Sequence, residues 1–181
     1  MISITAGLTI ISMVGCATVD TQTSQKQAET LAALSKKAEQ FKGSTLVFKG
    51  FYLGMPKKDA VAICDIQKLT KAAVYSPEGK LIELHLNSEQ IKQLFGLTEI
   101  NPGEFVNRFA REYKTPPPEY LPGDMEVDAG GIGRKEQWKI TDGKSYEIWF
   151  ASAPAPTTFM SVSEPSRLFT LTLKRVPGSF N

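Results

Sequence analysis

Residues 138–150 read WKITDGKSYEIWF. Two runs of alternating apolar and polar residues flank Asp142-Gly143, a dipeptide suited to a two-residue hairpin turn. Side chains of a strand point alternately to its two faces, so Trp138 and Ile140 share a face with Tyr146, Ile148 and Phe150. Lys139, Glu147 and Trp149 fall on the other. One face of this hairpin is therefore built to meet a core. Outward from it, 168–176 (LFTLTLKRV) alternates in the same way and places Phe169, Leu171 and Leu173 inward. A second hairpin is predicted from Ala73-Val74-Tyr75, the turn residues Ser76-Pro77-Glu78-Gly79-Lys80 and the run 81–86 (LIELHL). There Ile82, Leu84 and Leu86 share one face, and Leu81, Glu83 and His85 the other. The run 46–53 (LVFKGFYL) reads as a further strand.

Helices come before both hairpins. Pro56 suits a first helical turn, and Ala60, Val61, Ile63, Cys64 and Leu69 form the apolar set of a helix over 56–69. A short helix over 88–95 stops at Gly96. Asn101-Pro102-Gly103-Glu104 carries an N-cap, a proline for the first turn and a glutamate three residues after the cap. Phe105, Val106, Phe109, Ala110 and Tyr113 make the buried stripe of that helix, which Pro116-Pro117-Pro118 ends. A long loop with Tyr120 and the carboxylates Glu119, Asp124, Glu126 and Asp128 is expected over 118–133, with a turn at Gly130-Gly131-Ile132-Gly133. A second loop, 151–166, is rich in Pro, Ser and Thr and carries Phe159 and Met160. The fold class is α+β: an antiparallel sheet packed by two main helices, with a helix placed before a hairpin twice over.

The chain has 181 residues, enough for one domain, and 21 Lys and Arg against 19 Asp and Glu give a formal net charge of +2. Nothing in that balance suits a dedicated nucleic-acid binder. One His and two Cys exclude zinc fingers, multi-His metal centres and a disulfide framework. The loop acids do not follow EF-hand spacing, so they read as solvated rather than calcium ligands. The glycine run lacks the Lys-Ser or Lys-Thr of a phosphate-binding loop. Cys64, within an apolar set, reads as an inert buried thiol, and His85 as a surface or structural residue. Glu83 and Glu147 are strand-borne acids on polar faces, with no nucleophile and base beside them, so no enzyme, cofactor or metal is expected.

Residues 1–15 (MISITAGLTIISMVG) carry no charge, and 2–14 have the length of a signal-peptide apolar region, too short to span a bilayer. Met13-Val14-Gly15-Cys16 resembles the lipobox of bacterial lipoproteins. That resemblance implies cleavage before Cys16 and acylation of its thiol and new amino group; the alternative is a buried N-terminal segment with an incidental Cys. With Ala17 and Thr18 and no Asp after the Cys, the pattern resembles that of lipoproteins exported to the outer membrane. The chain then divides into a signal peptide (1–15), a lipid-anchored tether with a short amphipathic helix (16–44) and an α+β domain (45–181). Within the tether, 20–27 reads as flexible, and Ala28, Leu31, Leu34, Ala38 and Phe41 form a helical stripe.

Tyr52-Leu53-Gly54-Met55-Pro56-Lys57-Lys58-Asp59-Ala60, at a strand exit into a helix, resembles the "Gly-Met-Thr/Ser" helix start of the BamE (SmpA/OmlA-like) outer-membrane lipoproteins, with Pro56 in place of Thr or Ser. The helix–hairpin layout is similar to that family and to the modules of β-lactamase inhibitor proteins. The resemblance implies binding to other envelope proteins through sheet and loops, and no catalytic residue. The expected function is thus a lipid-anchored, non-enzymatic protein-binding module at the periplasmic face of the outer membrane, its partners being membrane lipid through Cys16 and an envelope protein. Tyr120 and Phe159 are the candidate anchors for the protein partner. The other expectation is binding of a lipid or peptidoglycan fragment beside the 138–150 hairpin, with Trp138 or Trp149 as a stacking platform.

Overall fold

A computed structural model describes residues 17–128, 131–154 and 167–176, with side chains described over 22–123, 135–153 and 168–176. Helix α1 spans Ala17–Glu39. The expected tether, 20–27, is therefore helical. Leu31 and Leu34 pack against the core and Ala38 is buried within it, and once that stripe is nucleated each earlier residue adds a hydrogen bond at little further cost. Residues 22–29 are exposed all round, so this part of α1 projects from the domain.

The expected strand 46–53 is instead a tight turn. Phe48 and Phe51 exchange both backbone hydrogen bonds, each 2.8 Å, across Lys49 (φ 48°) and Gly50 (φ 86°). Two consecutive left-handed residues are what a two-residue hairpin turn of this hand requires, and Gly50 meets the requirement without a Cβ. Phe48 and Phe51 are fully buried. Helix α2 (Lys57–Ile66) follows, with Pro56 as its N-cap, one position earlier than a first helical residue. Ala60 and Ile63 are buried, Cys64 is half-buried, and Val61 faces solvent rather than joining the core. Lys37 of α1 pairs with Asp59 of α2 at 2.5 Å.

Strands β1 (Ala73–Tyr75) and β2 (Leu81–Leu86) form the first hairpin. A register shift at Val74/Tyr75 rotates the start of the hairpin, so Leu81 is buried while Ile82 is only half-buried. Helix α3 (Ser88–Phe95) has a reciprocal capping box between Asn87 and Gln90 and ends in left-handed Gly96. Helix α4 (Pro102–Tyr113) is capped by the Asn101 side chain and ends at Lys114 (φ 51°). Strand β3 (Glu119–Asp128) occupies most of the stretch expected to be a loop. It pairs with β4 (Gly131–Thr141) in spite of Pro122 and Gly123, because a register shift between Pro122 and Met125 absorbs both. Only glycine fits at 123, since a Cβ there would collide with the Lys135 carbonyl oxygen. Gly131 and Gly133 lie in β4, and Gly130 lies outside the described residues.

Strands β5 (Tyr146–Pro154) and β6 (Arg167–Arg175) complete a six-stranded antiparallel sheet of order β1-β2-β6-β5-β4-β3. The last strand thus joins the first hairpin to the second. Trp138, Ile140, Tyr146, Ile148, Phe150, Phe169, Leu171 and Leu173 are all buried on one face, as their alternation requires. Helix α4 lies on that face: Phe105 and Phe109 meet Phe150 edge-on at 6.0 and 5.3 Å, and Phe105 meets Phe169 at 5.6 Å. Phe48, at 5.4 Å from Phe109, ties the 48–51 turn into the same aromatic core.

Candidate functional site

The sheet's second face carries polar residues. Its register sets Glu83, Lys174 and Glu147 in one row, and His85, Thr172, Trp149 and Lys139 in the next. Glu147 is the hub. It accepts from Lys139 Nζ at 2.9 Å and from Trp149 Nε1 at 3.0 Å, and Lys174 Nζ lies 3.8 Å away. The bond from Lys139 and that from Trp149 hold its carboxyl below the usual glutamate range. The ammonium groups of Lys139 and Lys174 lie 5.1 and 5.6 Å from the centre of the Trp149 ring. Trp149 is therefore braced on three sides, its N–H engaged and its ring beside two cations. His85 Nδ1 is 2.8 Å from Thr172 Oγ1.

The candidate aromatics separate onto different surfaces. Trp138 is 9% exposed and belongs to the core face. Tyr120 lies on β3, not on a loop, is 46% exposed, and its ring centre is 5.5 Å from that of Trp138. Tyr120 and Trp138 are thus brought together, while Trp149 stands on the opposite face. Phe159 and Cys16 lie outside the described residues, as do the side chains of Asp124, Glu126 and Asp128. Burial pushes the Cys64 thiol up to about 11. Among the described residues no group of three or more His, Cys, Asp or Glu is placed to hold a metal ion, and no helix is long and apolar enough to cross a membrane.

Sequence reasoning did not single out a half-open cleft of about 760 Å³ on the helical side. It is bounded by the end of α1, the 42–50 segment, the end of α4 and the β4–β5 connection. That connection is not the expected two-residue turn: Thr141 pairs with Glu147, which leaves five residues between them. Asp142 organises it, accepting from the backbone N–H groups of Lys144 (2.9 Å), Ser145 (2.8 Å) and Tyr146 (3.1 Å) and from the Ser145 hydroxyl. Burial pushes the Asp142 carboxyl up, but the Ser145 hydroxyl and the three N–H groups outweigh it and hold the group below its ordinary value. Tyr113, which burial and then the neighbouring Glu112 push well up, and Tyr146, pushed up by burial, line the cleft as neutral phenols. The one local signal was Lys49-Gly50 between apolar residues, a turn dipeptide inside an apparent strand.

The fold and these surfaces define an α+β protein with one sheet face packed by helices and one polar face built around Trp149. Compared with models of known protein families, with curated proteins and with solved structures, the chain matches none.

Proposed function

We propose that this chain is a bacterial envelope lipoprotein, acylated at Cys16, whose domain binds another envelope protein without catalysis. The anchor rests on the sequence Met13-Val14-Gly15-Cys16 and the uncharged apolar stretch before it. Helix α1 begins at Ala17, immediately after the lipid-bearing residue, and its solvated 22–29 part runs into the domain. At 1.5 Å per residue it would hold the first packed residues about 20 Å from the acylated end.

The observation that carries the binding role is the polar face of the sheet, where the Glu147 hub fixes Trp149 in one position. An aromatic side chain already held by neighbours loses little entropy when a partner covers it, which is why such residues serve as interface anchors. Stacking of a sugar or lipid on Trp149 is less favoured, because Lys139 and Lys174 already lie against its ring. The reading places the domain at the periplasmic face of the outer membrane.

The test is photocrosslinking in cells from positions 83 and 172 on the polar face, with position 36 on α1 as control, beside a Cys16→Ser variant. One envelope protein captured from the polar face alone, and lost when Cys16 is replaced, is the expected result. Equal capture from all three positions, or none, would sink the binding role. Membrane retention of the Cys16→Ser variant would sink the anchor.

A further inference from the structure

Residues 115–120 (TPPPEY) lead from α4 into β3. Prolines after a helix ordinarily serve to stop it. Helix α4 is already stopped before these begin: left-handed Lys114 is its C-cap, with its N–H on the Ala110 and Arg111 carbonyls, and the Thr115 N–H returns to the Ala110 carbonyl at 3.1 Å. Prolines 116–118 add something beyond that stop. Each fixes its own φ at about −65°, and each excludes the helical region for the residue before it. Thr115, Pro116 and Pro117 are therefore all held extended, in the polyproline II region.

This stretch is also bare. Pro116 and Pro117 are exposed, Tyr120 is 46% exposed, and β3 is the terminal strand of the sheet. Its chemistry restricts what can cover it. Pro116, Pro117 and Pro118 have no N–H, so they cannot continue a β-ladder. Their carbonyls are acceptors: that of Pro116 takes the Thr115 hydroxyl at 3.2 Å, and among the described residues no hydrogen bond uses that of Pro117. Their side chains are apolar rings, suited to lie on aromatic faces. A covering surface must therefore offer aromatic rings together with N–H or O–H donors, and Trp and Tyr side chains supply both.

We propose that 116–120 is a docking ridge for the partner protein, which receives it in a groove lined by Trp or Tyr. The mode is recognition of a preformed polyproline II segment, whose backbone is already fixed and so loses little conformational entropy on binding. Tyr120, with its ring centre 5.5 Å from that of Trp138, ends the ridge as an aromatic anchor. This inference rests on the protein-binding reading above and names a second contact for it, on the face of the sheet opposite Trp149. Pro116→Ala and Pro117→Ala supply a clean perturbation. Each removes a ring, yet the substituted residue is still followed by a proline and stays excluded from the helical region.

The test places the photocrosslinker benzoylphenylalanine at position 120 of the full chain in cells, which keeps an aromatic ring there. Mass spectrometry then maps the segment that the link reaches. Capture of a protein through a segment carrying Trp or Tyr is expected. It should weaken about fivefold with Pro116→Ala and with Pro117→Ala, and stay unchanged with Lys36→Gln on α1. Cooperative urea unfolding of each proline variant serves as the check that the domain is intact. No captured protein, a link into lipid, a linked segment without Trp or Tyr, or capture that either proline substitution leaves undiminished would overturn the proposal. The crosslinks at positions 83 and 172 distinguish the two levels: capture there with none at 120 removes this ridge and leaves the binding module standing.

Discussion

Asp142 offers the sharpest test of the structure, because one carboxylate holds an entire connection. Its Oδ1 takes the N–H groups of Lys144, Ser145 and Tyr146, and its Oδ2 takes the Ser145 hydroxyl. Asp142→Ala removes both acceptor oxygens and with them all four hydrogen bonds. The Lys144 and Ser145 N–H groups can turn to water, but that of Tyr146 belongs to a buried residue at the start of β5. Loss of a single-donor cap costs about 1 kcal/mol, and a partly buried orphan donor adds about as much again, giving roughly 2 kcal/mol. For a chain of this size that lowers Tm by roughly 4–8 °C. Asp142→Asn keeps an oxygen at the Oδ1 position and loses only the charge and the acceptor for Ser145, so about 0.5–1 kcal/mol is expected. The sign with pH follows from the depressed pKa. A carboxyl that is a stronger acid folded than unfolded stabilises above its unfolded value, near pH 4, and this contribution disappears as pH falls through the folded value. The gap between wild type and Asp142→Asn should therefore shrink as pH falls below about 4 and close once pH has passed below the folded value. Urea unfolding of the two variants from pH 7 downward measures this. An Asp142→Ala variant within 0.5 kcal/mol of wild type, or an Asn variant as damaged as the Ala variant, would refute the reasoning.

Three further outcomes are expected. Phe109→Ala should lose about 3–5 kcal/mol in urea unfolding, because its 2%-exposed ring meets Phe48, Phe105, Phe150 and Tyr113 and such a cavity cannot close; exposed Tyr120→Ala should lose less than about 1 kcal/mol, and equal losses would contradict the assigned core. Glu147→Gln should weaken the domain by about 0.5–1 kcal/mol at pH 7, and less as pH falls below the unfolded value near 4.3, since the stabilising ion pair with Lys139 exists only while Glu147 is charged; a penalty that grows in acid would show the sign to be wrong. Cys64 in the Cys16→Ser chain should react with a soluble disulfide reagent at pH 7 about a hundredfold more slowly than a free thiol, because a pKa near 11 leaves little thiolate. Reaction at the free-thiol rate would place Cys64 outside its apolar surroundings.

What the sequence shows of this fold tracks how local the governing physics is. The inward faces of β4, β5 and β6 follow from alternation alone, and every residue assigned to them is buried. The cap at Asn101 follows from side-chain chemistry within three residues. Strand β3 was not legible because Pro122 and Gly123 argue against a strand, and only the register shift opposite Lys135 makes them tolerable. The β4–β5 connection was misread because Asp142-Gly143 has the composition of a two-residue turn. The winning arrangement uses the Asp142 side chain as an acceptor for residues two, three and four positions on. Of the candidate site, the Lys139, Glu147 and Trp149 face was legible as a face. The hydrogen bond that locks Trp149 to Glu147 needs χ angles, which periodicity does not carry.

Two of the misread stretches lie together, whereas the helical 20–27 segment and β3 lie away from them. The Leu46–Leu53 run and the Asp142–Tyr146 connection are two walls of the same cleft, and the end of α4, where a lysine adopts a left-handed backbone, is a third. Sequences are expected to agree with their fold at every level, and departures concentrate where something other than folding stability is served. A run with strand propensity but no strand partner is such a departure. It forgoes ladder hydrogen bonds that its residues are suited to make, and it buries Phe48 and Phe51 in the aromatic core instead. At the polar face of the sheet Lys139 and Lys174 share one carboxylate, Glu147. The Trp149 face is thus held by charge and a side-chain hydrogen bond, whereas the 48–51 turn is held by aromatic burial.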